Sequence, residues 1–277
     1  MIGVLDRGFL FGDAVYETGR SYDRKFLFWE DHFQRLMRSA ATMGIECPYS
    51  EAWILGRLSE LSGAFKQDNL YFRIILTRGV IDHVGLDVFS SETKPTVAMV
   101  VQSLGSKNDE KRKTGVSLMT SSVVRNSASA QDPNIKTSNY LNCLFALREV
   151  RARGGEDAVL CDAKGIVTEG TTFAVFGVRK DGVLITPSLE TGILDSITRR
   201  HIIAIAEKIM PVEVGFFSVK EFLACDEVFM ASSVRELMPV RLWDQRSYVV
   251  PGSVTSKLHE LFGQQISRYL QNAVAFY

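Results

Sequence analysis

Apolar and polar positions follow two rhythms along this chain. Over residues 30–43 the apolar side chains recur at helical spacing. Phe33, Leu36, Met37 and Ala40 share one face, and Gly44 follows as a stop. The same pattern predicts a second helix over 51–61. Residues 70–77 read Leu-Tyr-Phe-Arg-Ile-Ile-Leu-Thr, dense in aromatic and β-branched side chains, and predict a strand. Residues 96–102 and 116–124 read the same way. Between them, 104–113 carries Lys107, Asp109, Glu110, Lys111, Arg112 and Lys113, a charge run that reads as a solvated loop. Residues 126–136 are small and polar, contain Pro133 and show no period, which predicts a connector.

The strongest helical signal is 139–153. Leu141, Leu144, Phe145 and Leu147 give it an apolar side, Arg148, Arg151 and Arg153 load its C-terminal end, and Gly154-Gly155 stop it. Short strands follow over 157–162, 173–178 and 183–186. Turns at Ala163-Lys164-Gly165 and Lys180-Asp181-Gly182 suit hairpins. A helix over 196–208, a strand over 228–231 and a C-terminal helix over 254–270 complete the pattern. The order predicts an α+β protein with a small N-terminal domain (1–125), a connector (126–135) and a larger C-terminal domain (136–277).

Composition narrows the function classes. The 277 residues are 46% hydrophobic, and 32 Lys and Arg balance 32 Asp and Glu. Zero net charge argues against a partner held by phosphate contacts, so no nucleic acid is expected. The apolar content argues against disorder. No stretch approaches the ~20 apolar residues of a membrane span, and the N-terminus lacks the layout of a secretory signal. Cys47, Cys143, Cys161 and Cys225 are far apart and form no C-x-x-C pair, which argues against a zinc or redox site. The expectation is a soluble cytoplasmic protein without a metal.

Lys136 stands out by its surroundings. It lies between the connector and the 139–153 helix, preceded by Ile135 and followed by Thr137, Ser138, Asn139 and Tyr140. A lone lysine is ordinarily a solvated charge. One held at such a helix entrance can be desolvated, and its amine can then form a Schiff base with an aldehyde cofactor.

Residues 134–146, Asn-Ile-Lys-Thr-Ser-Asn-Tyr-Leu-Asn-Cys-Leu-Phe-Ala, resemble the cofactor-lysine motif of the class IV aminotransferases, the fold-type IV pyridoxal-phosphate enzymes. Five further blocks resemble that family in its own order. They are Asp6-Arg7-Gly8 through Gly12-Asp13-Ala14-Val15-Tyr16-Glu17, His32-Phe33-Gln34-Arg35-Leu36, Gly165-Ile166-Val167-Thr168-Glu169-Gly170, Gly192-Ile193-Leu194-Asp195-Ser196-Ile197-Thr198-Arg199, and the segment 227–240.

The resemblance implies a two-domain fold-type IV enzyme whose larger domain has a β-barrel-like core, with pyridoxal 5′-phosphate as cofactor. It implies that Lys136 bonds to the cofactor and shuttles the proton, that Glu169 faces the pyridine nitrogen, and that Tyr140 lies near the phenolic oxygen. It gives the phosphate to Arg35, to Ser232 and Ser233, and to the Ile197 and Thr198 turn. The ordinary alternatives are an exposed hairpin carboxylate for Glu169, an ion pair with Glu30 or Asp31 for Arg35, and a packed helix tyrosine for Tyr140. Tyr71 and Arg73 resemble the carboxylate readers of branched-chain aminotransferases, and Arg20 and Arg125 are further substrate candidates.

The implied reaction moves an amino group between an amino acid and a 2-oxo acid, with branched-chain L-amino acids favoured. Tyr71-x-Arg73, Tyr140 and Gly85-Leu86-Asp87 favour that branch, and Asp82-His83-Val84 lacks the Arg-x-His trap of the D-specific branch. D-amino-acid or (R)-amine transamination, an aminodeoxychorismate lyase and a non-catalytic binding protein are the alternatives. A homodimer is implied by resemblance alone. Ala14, Gln131, Ala174 and Ser196 depart from the family pattern. Ser196 replaces a glycine, which predicts a reshaped phosphate turn.

Overall fold

The computed structural model describes residues 2–82, 85–86, 93–105, 107–273 and 275, apart from the Lys107 side chain. His83, Val84 and Asp87, part of the branch signature, lie outside them. The chain forms two compact units. One comprises Met1–Leu104, Ile135–Asn139 and Arg268–Tyr277; the other comprises Gly105–Asn134 and Tyr140–Ser267.

The first unit contains α1 (Arg7–Phe11), β1 (Ala14–Tyr22), β2 (Lys25–Phe26), α2 (Trp29–Thr42), α3 (Glu51–Ser62), β3 (Leu70–Val80) and β4 (Lys94–Ser103). Its strands form an antiparallel sheet in the order β2-β1-β3-β4. The helices cover one face, where Val15, Leu36, Ile54, Leu58, Phe72, Ile74 and Leu76 make the core. The period-2 alternation of β3 sends Phe72, Ile74 and Leu76 inward and leaves Tyr71, Arg73 and Ile75 on the other face. Gly44 adopts φ +62° after the C-cap of α2, as its glycine predicts.

The second unit contains α4 (Lys107–Thr114), β5 (Val116–Thr120), α5 (Leu141–Ala152), β6 (Asp157–Cys161), β7 (Val167–Gly170), β8 (Ala174–Val178), β9 (Leu184–Pro187), α6 (Ile197–Ala206), β10 (Val212–Gly215), α7 (Val219–Leu223), β11 (Glu227–Ser232), β12 (Glu236–Trp243), β13 (Arg246–Ser247) and most of α8 (Ser253–Asn272). Its main sheet runs β10-β9-β8-β11-β12-β5-β6-β7, and β7 also approaches β8 and β9, so the sheet curls on itself. Val159, Val167, Val175, Phe222, Met230, Met238 and Trp243 fill it.

Three features differ from the sequence expectations. The charge run is not a loop: Lys107–Thr114 is a helix, with Asp109 and Glu110 in its first turn and Lys111, Arg112 and Lys113 in its last, an order that suits the helix dipole. The apolar side of α5 is not packed within its unit: Leu141 is 67% exposed, and Leu144 and Phe145 are each 55% exposed, whereas Ala146 and Val150 are buried. The compact units also divide at 104/105 rather than 125/126, and the Lys136 segment groups with the first unit. Backbone hydrogen bonds explain that placement. Tyr16 N–H donates to Lys136 O (2.9 Å), Ser138 N–H donates to Ala14 O (3.0 Å), and Val15 and Thr137 form a bridge.

Candidate active site

In the first unit, β1 organises the chemistry. Its entrance is locked by the Asp6–Asp13 block. The fully buried Asp6 carboxylate accepts from Gly8 N–H (2.8 Å) and from the Thr77 hydroxyl (2.9 Å). Asp13 accepts from Arg7 Nε (2.8 Å) and Arg78 Nε (2.7 Å). Gly12 turns the chain at φ +68°, where the Asn139 side chain leaves no room for a Cβ. Much of this motif is therefore architecture that aims β1.

The alternation of β1 then divides its side chains. Glu17 turns toward α2 and is fully buried. It accepts from Arg35 Nε (2.6 Å) and Nη2 (2.9 Å), and from His32 Nδ1 (2.6 Å). The His-x-x-Arg spacing puts both α2 side chains one turn apart, so one carboxylate reaches both. Arg35 thus pairs with Glu17, and not with Glu30 or Asp31. Burial opposes the Glu17 charge, but Arg35 and then His32 outweigh it and hold the carboxyl far below its usual range. Burial lowers the His32 pKa against the opposing pull of the Glu17 carboxylate.

The opposite face carries Tyr16, Arg20, Tyr71 and Arg73. Lys136 is half-buried, and its Nζ lies 4.5 Å from the Tyr16 ring centroid. The Arg73 guanidinium lies 3.8 Å from the same centroid. Arg20 stacks on Tyr22 at 4.0 Å and pairs with Tyr71 in the strand register. The structure therefore brings Lys136, Tyr16 and Arg73 together, with Arg20 and Tyr71 on the same sheet face.

The second unit gathers the remaining residues. Glu169, near the end of β7, is not an exposed hairpin carboxylate: its side chain is 13% exposed and accepts from Arg125 Nη2 (2.7 Å) and Nε (3.2 Å). Leu194 N–H also points at it (3.4 Å). Arg125, expected at a substrate carboxylate, is instead committed to Glu169. Burial opposes the Arg125 charge and Glu169 overrides it, raising the guanidinium pKa. Tyr140 is the N-cap of α5 and contributes to the same electrostatic group.

Ile197 and Thr198 open α6, where first-turn N–H groups have no helical acceptor. The Thr198 and Ser233 hydroxyls are 3.4 Å apart. Ser232 closes β11, and its hydroxyl accepts from Arg235 N–H (3.3 Å). Ser196 sits at φ −73° and caps Arg199 N–H, so no left-handed glycine is needed and the substitution adds a cap. Ala174 lies buried at the start of β8.

Sequence reasoning missed the environment of Tyr16, the Glu17–His32 contact and the Asp157 brace. Asp157 accepts from the Thr171 hydroxyl (2.6 Å) and Arg235 (2.9 Å), tying the loop after β11 to the end of the β7 hairpin. Alternation within 14–22 was the available signal for Tyr16 and Glu17.

Glu17→Gln is expected to lower folding stability by about 3–5 kcal/mol, because it strands the Arg35 charge in the interior. The urea midpoint measures this. Glu17 has a depressed folded pKa, so its contribution is complete above its ordinary value of 4.5 and drains away as the pH falls below it. His32, with its folded pKa lowered, acts in the same direction from 6.5 downward. Wild-type stability should therefore fall on acidification, and the fall below 4.5 should be shallower, though not absent, in Glu17→Gln, because Asp13 and Glu156 are depressed in the same direction.

The donor set suits a pyridoxal phosphate. Within the second unit, a helix N-terminus and paired hydroxyls match an anion and a guanidinium-held carboxylate matches a ring N–H; within the first, a half-buried lysine matches an aldehyde. Comparison with known proteins agrees. The family described as amino-transferase class IV matches residues 14–243. A D-alanine aminotransferase of Listeria monocytogenes serotype 4b (strain F2365) is 33% identical, over 96% of this chain and 91% of the relative. An aminodeoxychorismate lyase of Bacillus subtilis (strain 168) is 32% identical, over 98% of this chain and 91% of the relative. Among solved structures, the branched-chain amino acid aminotransferase from Thermobaculum terrenum in its PLP-form superposes with a TM-score of 0.88 at 25% identity, covering 100% of this chain and 94% of that one. The chain belongs to the class IV aminotransferases, and it is a pyridoxal-phosphate-dependent transaminase of the fold-type IV architecture.

Proposed function

We propose that this transaminase exchanges amino groups between branched-chain-like L-amino acids and 2-oxo acids, with Lys136 as the reacting amine. The observation that carries the reading is the grouping of Lys136 with Arg73 around Tyr16, on the face of the first unit's sheet opposite its helices. A transaminase must hold a carboxylate near the amine that moves the proton, and this face offers both. When bound, pyridoxal phosphate supplies the aldehyde carbon and the electron-withdrawing ring.

The chain's own residues do the rest. Lys136 Nζ takes and returns the substrate proton. Arg73, with Tyr71 and Arg20 on its face, binds substrate carboxylate. Glu169, held by Arg125, keeps a ring nitrogen protonated. Thr198, Ser233 and the Ile197–Thr198 amides receive the phosphate, with Ser232 shaping their loop and Arg35 adding a guanidinium. Tyr140 lies toward the phenolic oxygen. The B. subtilis relative makes a lyase the second reading, which predicts pyruvate release without an added acceptor.

The uncovered α5 face supports a homodimer, because a row of Leu141, Leu144 and Phe145 is costly to leave in water. Cytoplasmic residence is supported by four free cysteines, two of them buried and inert, with Cys161 pushed up to about 11 and Cys225 to about 12 by burial. No helix among the described residues is long and apolar enough to cross a membrane.

Borohydride reduction of the holoenzyme should fix the cofactor to the Lys136 peptide in mass spectra, and Lys136→Ala should lower turnover by at least ~10³-fold. Label on another lysine, or undiminished turnover, overturns the assignment. In single-turnover mixing, L-leucine, L-isoleucine or L-valine should convert the cofactor's visible band faster than D-alanine does. The reverse order sinks the branch assignment. Light scattering should give twice the chain mass, and Leu144→Glu should shift it toward one.

A further inference from the structure

Tyr16 has no role in the mechanism above, yet it is buried between the two groups that mechanism needs most. Its ring is the common neighbour of the Arg73 guanidinium (3.8 Å to the centroid) and Lys136 Nζ (4.5 Å). The strand register sets the Tyr16–Arg73 half of this arrangement. Tyr16 pairs with Ile75, and Arg73 pairs with Thr18, so Tyr16 and Arg73 are diagonal neighbours on one face, within reach of an aromatic ring. The backbone N–H of Tyr16 also donates to Lys136 O at 2.9 Å. One residue thereby locates both cations.

The contrast with the other arginines is chemical. Arg7 and Arg78 are neutralised by Asp13, Arg35 by Glu17 and Arg125 by Glu169. Arg73 lies on a ring instead, and its Nε is buried without a hydrogen-bond partner among the described residues. A carboxylate neighbour would cancel the charge and compete with substrate. A ring quadrupole attracts the guanidinium face and leaves its charge and in-plane N–H groups available.

We propose that Tyr16 is a positioning residue for substrate recognition: its ring holds Arg73 in place, uncancelled, on the same aromatic surface as Lys136. This rests on Arg73 being the carboxylate reader, as argued above. The prediction concerns the ring face and not the hydroxyl.

The test uses the holoenzyme and 4-methylvalerate, a carboxylate with no amino group, with binding measured by calorimetry. Tyr16→Phe should bind within about twofold of wild type, and Tyr16→Leu roughly tenfold more weakly. In an Arg73→Met background, Tyr16→Leu should add no further loss. Should the buried leucine prevent folding, phenylalanines of increasing fluorination at position 16 weaken the quadrupole at constant shape, and affinity should fall stepwise. Equal binding by Tyr16→Leu, a flat fluorination series, or an undiminished loss in the Arg73→Met background overturns the proposal. If Arg73→Met alone leaves the affinity unchanged, the carboxylate-reader reading fails and this inference goes with it. If Arg73→Met weakens binding while the position 16 series does nothing, only this inference fails.

Discussion

Two backbone hydrogen bonds give Lys136 its place: Tyr16 N–H to Lys136 O, and Ser138 N–H to Ala14 O. They pin the end of an irregular connector to β1 through the Val15–Thr137 bridge. The Lys136 N–H adds a third tie, to the Ser39 hydroxyl of α2 at 3.2 Å. A lysine on an irregular segment would sample many positions and pay the entropy of ordering in each turnover. Docking on a strand settles that cost during folding. The Asp6, Asp13 and Gly12 contacts serve the same end by fixing where β1 begins.

Charge compensation then sorts the arginines by role. Glu17 and Glu169 are carboxylates with little solvent, and each is gripped by a guanidinium through Nε and Nη2. Such pairs do little for net stability, but removing one partner is expensive, so they hold geometry firmly. Arg35 and Arg125 are oriented in this way. Arg73 is held by an aromatic face and keeps its charge for a ligand. The same residue type is paired off by a carboxylate or laid on a ring, according to what lies against it.

Much of the fold was legible because its signals are local. The apolar stripe of α2, the β-branched run of β3 and the glycine stop at Gly44 depend on neighbours within a few residues. The failures have equally physical causes. An octapeptide with acids first and bases last suits the helix dipole, and Arg112 is tied to Glu236 and Asn108 to Val234 O, so polarity did not mark a loop at Lys107–Thr114. The stripe of Leu141, Leu144 and Phe145 had the spacing of a core face, but spacing reports amphipathicity and not what covers it. Arg125 and Glu169 are 44 residues apart, and nothing local couples them.

The sequence by itself determined the family and the cofactor and singled out Lys136 for the proposed role, because those reside in short blocks whose residue types and order are demanded by the chemistry. It also determined which strand faces alternate. The tertiary structure alone decided which acid meets which arginine, which ring lies under which cation, and which compact unit the lysine segment joins. Those pairings form across long sequence separations, through strand register and burial, and the energy that selects them exists only once water has been excluded around both partners.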